Sequence, residues 1–316
     1  MSFDVRAIVK HLGRANAREL SSGDAQALFA AMLAGELDAA AMGAAWMGLR
    51  IKGETTVELA AMLSAAESSY AHWDVAGNGP LPLIIPSYNG ARQLPNLVPL
   101  LACLLARAGV PVLIHGVRRD PARTTTCEIL STLDNPPCRD AVEAAERHRA
   151  GLPAFVAIDM LAPAVARLLD WRWRIGVRSS IHTVAKMLNP GAGPAVRLIS
   201  VTHPDYLIRM RAFFADDCDG VLLLRGAEGE AVAHPRRPLR MEYLRAGAAP
   251  SIIAEESAAG EPVSTLPADC SAPATATWIR AALAGGVPIP AMIAAQVEGC
   301  LAATRRLPAH RLETAA

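Results

Sequence analysis

Apolar residues in the first seventy positions recur three and four apart in short blocks. Val5, Ile8, Val9 and Leu12 form one stripe, Ala25, Leu28, Phe29, Met32 and Leu33 a second, and Met42, Trp46 and Leu49 a third. That spacing belongs to helices that bury one face. Polar residues punctuate the blocks where helix ends leave backbone amides unsatisfied. Ser21 or Ser22 opens the second block and Gly35 closes it, while Thr55 with Glu58 three residues later opens a fourth as a capping box. The N-terminal part is predicted to be a helical bundle.

Beyond Tyr70 the pattern changes. Leu81–Pro86, Val110–Ile114, Phe155–Ile158, Arg197–Val201 and Gly220–Leu224 are short β-rich runs. Helical stretches such as Leu97–Ala108 lie between them, the alternation that builds a mostly parallel sheet. Ala246–Ala274 is rich in Ala, Ser, Pro and acidic residues without clear periodicity, and is predicted to be an exposed excursion. A helical hairpin closes the pattern: one arm from about Thr275 to Ala284, a turn at Gly285–Pro288, and a second arm with Ile289, Ile293, Val297, Cys300 and Leu301 on one face. The expected fold class is α/β, a small all-helical N-terminal domain plus a larger α/β domain with a mostly parallel central sheet. The expected division is 1–72 and 73–316, with a segment near 160–190 returning to the helical domain and the hairpin near 275–306.

Composition narrows the function classes. The chain has 316 residues, 52% hydrophobic, enough for two cored domains. A formal net charge of +1 gives no global field for polyanions, so any such binding rests on local clusters. The six cysteines include no C-x-x-C pair, which argues against a disulfide scaffold or zinc site. No apolar run approaches the roughly 18 residues of a membrane span. A cytoplasmic protein with no membrane partner is expected.

Arg50-Ile51-Lys52-Gly53-Glu54-Thr55, with Leu33-Ala34-Gly35-Glu36 before it, resembles the N-terminal region of anthranilate phosphoribosyltransferases and related nucleoside phosphorylases, glycosyl transferase family 3. The likeness continues in order through His115-Gly116, Arg174–Arg178, Leu188-Asn189-Pro190 and Val297–Leu301. It implies a helical domain joined to an α/β domain, and dimers formed through the helical part.

The same resemblance shows what is missing. The enzymes' Gly-Thr-Gly-Gly-Asp pyrophosphate loop is matched here by Pro86-Ser87-Tyr88-Asn89-Gly90, with fewer glycines to approach a polyanion. Asn96 keeps its place, but the Ser-Thr pair after it is Val98-Pro99. The second phosphate loop reads Ile114-His115-Gly116-Val117-Arg118, then Arg119 to Thr126 with Arg123 and three threonines, the best case for residual anion binding. In place of the enzymes' Asp-Glu magnesium pair stand Ala231-Val232, which cannot ligate a metal. Glu228 and Glu230 stand as substitutes after a register shift, or as a solvated turn. No catalytic residue, metal or cofactor is expected.

Gly176–Pro190 looks most like the YbiB type within this family, a branch that shares the fold and binds nucleic acid without transferase activity. The resemblance implies a non-enzymatic, largely sequence-independent DNA- or RNA-binding homodimer; the alternative is a phosphoribosyltransferase or phosphorylase with an altered anion site. Candidate phosphate contacts are Arg118, Arg119 and Arg123 in one loop, Arg172, Arg174, Arg178 and Lys186 beside Trp171 and Trp173, and Arg280, Arg305 and Arg306 near the C-terminus. Arg236, Arg237 and Arg240 form a further set, and each set also reads as a solvated face. Cys300 beside Arg280, Arg305 and Arg306 reads as a redox-sensitive contact or as a packed small hydrophobe. His115 and His182 read as satisfied fold residues.

Overall fold

The computed structural model describes residues 4–74, 79–215, 220–257 and 266–305. Four helices come first: α1 (Val5–Leu12), α2 (Ser22–Ala34), α3 (Ala39–Lys52) and α4 (Thr56–Glu67). Their starts follow the capping side chains. Asp4, Ser21 and Asp38 each accept amides of the following turn, and Thr55 and Glu58 form the reciprocal box. Helices this short are marginal alone. Burial of Leu28, Phe29, Met42, Trp46, Leu49, Leu59 and Met62 between them, at about 2 kcal/mol per large apolar side chain, holds them together.

Glu58 does more than cap. Its carboxylate also accepts the Leu20 amide at 2.8 Å and pairs with Lys52 Nζ at 2.6 Å, both side chains almost wholly buried. Glu54 lies 3.8 Å from Arg209. The Lys52–Thr55 motif is therefore a junction that ties α3, α4 and the segment before α2 to a later helix.

The strands are β1 (Leu83–Ser87), β2 (Val112–Gly116), β3 (Ala154–Ala157), β4 (Val196–Val201), β5 (Val221–Arg225), β6 (Leu239–Leu244) and β7 (Ser251–Glu256). They form one sheet in the order β3-β2-β1-β4-β5-β6-β7. β1 to β5 are mutually parallel, and β6 and β7 add antiparallel at one edge. Successive strand residues face opposite sides. Ile84, Leu113, Val156 and Leu223 join the core of the N-terminal helices, whereas Leu83, Ile85, Ile114, Phe155, Leu222 and Leu224 face a second core. With both faces covered, β1 to β3 are buried throughout, which explains their largely apolar character.

The second core is closed by α5 (Val98–Arg107), α6 (Thr126–Thr132), α12 (Ala272–Leu283) and α13 (Ala291–Thr304). α7 (Ala141–Arg149) lies against β3, and α8 (Ile158–Leu161) follows it. α9 (Pro163–Ile175), α10 (Ile181–Val184), which runs on into a 3-10 turn at Ala185–Met187, and α11 (Pro204–Phe213) lie on the bundle side, against α2 or α4. No helix among the described residues is long and apolar enough to cross a membrane.

The stretch predicted to be an exposed excursion instead contains β7, paired along β6 with an irregularity at Met241/Glu242. β7 is an edge strand, half exposed, with Ser251, Ile252 and Glu255 open to solvent. Its burial does not alternate, so no two-residue period marked it as a strand. α13 covers its inner face at Gly299, where an added Cβ would come within 2.9 Å of Ala254 Cβ.

Candidate functional site

The loops after β1, β2, β4 and β5 meet at the C-terminal ends of the parallel strands, where α/β sheets place their ligands. Their chemistry starts with backbone amides. After β1, the N–H groups of Asn89 and Gly90 both donate to Glu230 Oε1, each at 2.7 Å, and Ser87 Oγ donates to Oε2 at 2.6 Å. Farther along, the N–H groups of Arg92, Gln93 and Leu94 converge on the Glu228 carboxylate at 2.9 to 3.3 Å. Glu230 is 1% exposed. The expectation of a solvated turn at Glu228–Glu230 is thus overturned: Glu230 inserts into the loop that the resemblance assigns to pyrophosphate, and Glu228 into the turn just after it.

The turn that carries them is built for that insertion. Glu228 takes a positive φ of 49° and Gly229 one of 85°. A Cβ on Gly229 would fall 1.9 Å from Asn89 Nδ2, so only glycine fits there. Ala231 and Val232 are buried. These residues do not fit a magnesium site: the two apolar side chains offer no ligand, and the oxygens of both glutamates already accept hydrogen bonds from N–H or O–H donors. Among the described residues, no three His, Cys, Asp or Glu side chains converge as a metal site.

Two of the three threonine hydroxyls expected to contact phosphate are also engaged. Thr125 caps α6 with Glu128 and donates to the Arg118 carbonyl at 2.9 Å. Thr126 Oγ1 lies 2.8 Å from Ser87 Oγ and accepts from Asn96 Nδ2 at 3.1 Å.

Of the candidate cations, Arg123, Arg178 and Lys186 surround this cluster. Arg123 donates to the Gly90 carbonyl and lies 3.4 Å from Glu228. Arg178 donates to Asn89 Oδ1, and Lys186 Nζ donates to the Gly229 carbonyl at 2.8 Å. Burial lowers the Lys186 ammonium to about 8, with Glu230 opposing and Arg178 adding to the shift. Burial, then the charges of Arg172 and Arg123, holds the Arg178 guanidinium below the usual arginine range. Beside them a cavity of about 480 Å³ opens toward the helical bundle, lined by Arg50, Arg178, His182, Lys186, Tyr206 and Arg209 among others.

Around the rim the arginines differ. Arg118 pairs with Asp159 at 2.9 Å, both half exposed, and Arg172 with Asp120 at 3.3 Å. Arg119 and Arg174 are exposed and have no carboxylate partner among the described residues. At the end of α9 the Arg172 guanidinium lies 3.9 Å from the centre of the Trp173 ring, and that of Arg174 lies 4.2 Å from Trp171. Trp173 is 54% exposed.

The C-terminal cations lie apart from this cluster. Arg280 ties α12 to the end of α6 through the Thr132 carbonyl and Asp134. Arg305 caps α13 in the open, and Arg306 lies outside the described residues. Arg237 donates to the Gly226 carbonyl, and Arg240 pairs with Glu242 and Glu255. Cys300 is fully buried, and burial alone pushes its thiol up. It packs as a small hydrophobe.

Neither histidine has the full set of partners expected of it. His115 shares a 2.7 Å hydrogen bond with the Tyr88 hydroxyl through Nδ1, but its buried Nε2 has no partner among the described residues. His182 contacts Ser179 and leaves its own Nε2 unpartnered. Burial lowers both to about 3, with the Arg178 charge adding to the shift at His182.

Comparisons with known proteins bear on the fold and the family. Residues 6–69 match the glycosyl transferase family helical bundle domain. The chain is 38% identical over 305 residues to the uncharacterized protein YbiB of Escherichia coli, covering 96% of this chain and 95% of that one. It is 30% identical to an anthranilate phosphoribosyltransferase of Desulfitobacterium hafniense, over 57% of this chain and 52% of the enzyme. The fold matches that of anthranilate phosphoribosyltransferase from Thermus thermophilus, with a TM-score of 0.72 at 22% identity over 96% of this chain and 89% of the other. The chain belongs to the YbiB family of anthranilate phosphoribosyltransferase-like proteins.

Proposed function

We propose that the protein is a non-enzymatic, largely sequence-independent nucleic-acid-binding protein on a phosphoribosyltransferase scaffold. The observation that carries this reading is the end of α9, where Trp171, Arg172, Trp173 and Arg174 interleave two aromatic faces with two guanidinium planes and leave Trp173 and Arg174 exposed. Single strands are held by base stacking on aromatic or guanidinium planes together with phosphate neutralisation, and every base has a face to stack. Arg119 in the neighbouring loop adds an exposed cation. The loss of a free pyrophosphate loop supports the non-catalytic part, since charge stabilisation in phosphoryl and phosphoribosyl chemistry needs those donors open.

The test is fluorescence anisotropy of labelled single- and double-stranded DNA and RNA against salt. If about six phosphates are neutralised, log K falls with log salt at a slope of roughly −4 to −5. No salt-dependent binding at low salt overturns the reading. Self-association completes the proposal: Met47 and Ile51 on α3 and Val57 on α4 expose apolar side chains, which a second copy would cover. Analytical ultracentrifugation is expected to give a dimer, and an Ile51→Asp variant to shift it toward monomer.

The cavity beside Arg178 and Lys186 favours a second reading, a transferase or phosphorylase with an altered anion site. Calorimetry with phosphoribosyl pyrophosphate and magnesium separates the two. The nucleic-acid reading expects no heat, and saturable heat supports the enzyme.

A further inference from the structure

We propose that the turn at residues 226–232 is a built-in occupant of a latent cradle for a diphosphate anion, so that the cradle is autoinhibited in the native chain. Two adjacent nests of backbone amides point inward, one from Asn89 and Gly90 and one from Arg92, Gln93 and Leu94. Successive N–H groups aimed at one point form an anion-binding concavity. Each nest here holds one carboxylate of the protein itself, Glu230 and Glu228 respectively. Two anionic groups in neighbouring nests are the arrangement that two linked phosphoryl groups would take up, and Arg123, Arg178 and Lys186 bring positive charge to the same place.

The turn is shaped to fill the nests. Glu228 holds a left-handed conformation that is costly for a non-glycine residue and persists only where its surroundings fix it. The amides of Arg92 to Leu94 and the Arg123 guanidinium supply that fixing. Closure of the turn by Ala227 N–H to the Val232 carbonyl, and by the Gly226–Ala233 bridge, keeps both carboxylates close to their nests. A tethered occupant acts at an effective concentration of about millimolar or more. A free anion has to displace two such groups and overcome their charge.

The cradle is separate from the surface invoked for nucleic acid, because it is filled from within and the exposed Trp173 and Arg174 lie outside it. Calorimetry with inorganic pyrophosphate, without metal, tests the autoinhibition on the full chain. The native protein is expected to give no saturable heat at millimolar pyrophosphate, and a Glu228→Ala/Glu230→Ala variant to bind at least tenfold more tightly. Circular dichroism establishes that the variant is folded. If the double variant does not fold, Glu228→Ala alone opens the outer nest and is expected to show a smaller gain, read with inorganic phosphate. Equal affinity in native and variant proteins, or a folded variant that binds neither anion, overturns the proposal. DNA affinity of the same variants, expected to stay within twofold of native, reports on the nucleic-acid reading separately.

Discussion

Glu230 Oε1 accepts the Gly90 N–H at 2.7 Å although their strands, β5 and β1, are not neighbours; β4 lies between them. The contact spans the ends of three strands and fills the loop from which a phosphate-handling site would be made. It also fixes Gly90, whose φ of +63° and closeness to the Thr124 carbonyl leave no room for a side chain.

The buried Lys52–Glu58 pair makes the helical bundle sensitive to one residue. Glu58→Ala takes the counter-charge from the buried Lys52 ammonium, which keeps only the Gly53 carbonyl, and the acceptor from the Leu20 amide, a loss of about 3 kcal/mol. Denaturant unfolding is expected to show it, and Glu58→Gln, which keeps one acceptor, is expected to lose less.

Where β1 and β2 run side by side, Gly116 leaves no space for a methyl group. An added Cβ would lie 1.8 Å from the Ser87 carbonyl oxygen. Because that oxygen is backbone within a buried strand, it cannot swing away. Gly116→Ala is expected to destabilise by about 3 kcal/mol or to prevent folding, measured by thermal unfolding.

His115 predicts acid sensitivity. Burial lowers its pKa from 6.5 to about 3, so the folded protein keeps the ring neutral while the unfolded chain protonates it below 6.5. Its contribution is complete above pH 6.5 and is lost as pH falls toward 3, at up to about 1.4 kcal/mol per pH unit. Denaturation midpoints at about pH 7 and about pH 4.5 are expected to differ accordingly, and by less in a His115→Asn variant.

Trp173 and Arg174 separate stacking from charge. Trp173→Ala is expected to weaken single-strand binding by about 1–3 kcal/mol with no change in the salt slope. Arg174→Ala is expected to reduce that slope by about one. Both side chains are exposed, so thermal midpoints should not move, and an unchanged affinity in both variants removes α9 from the binding surface.

Cys300 offers a control on accessibility. It is fully buried and its thiol is pushed up by burial, so a thiol reagent is expected to leave it unmodified in the native protein and to label it after denaturation. Mass spectrometry of the labelled peptide reads the result.

Much of this protein was decided within short windows of sequence. Ser21, Asp38 and Thr55 set helix starts because a cap acts on amides two or three residues away. The apolar runs of β1 and β2 reveal strands buried on both faces for the same local reason. The replacement of a glycine-rich loop by Ser87–Gly90, and of an Asp-Glu pair by Ala231-Val232, was equally legible. The edge strand β7 was not, because its exposed residues, Ser251, Ile252 and Glu255, do not alternate with buried ones. Nor was the role of Glu230, whose partners Asn89 and Gly90 lie 141 and 140 positions away. An isolated Glu-Gly-Glu reads as a solvated turn. It becomes a buried plug only when the parallel sheet brings the ends of β1 and β5 together, and that juxtaposition is a property of the tertiary fold.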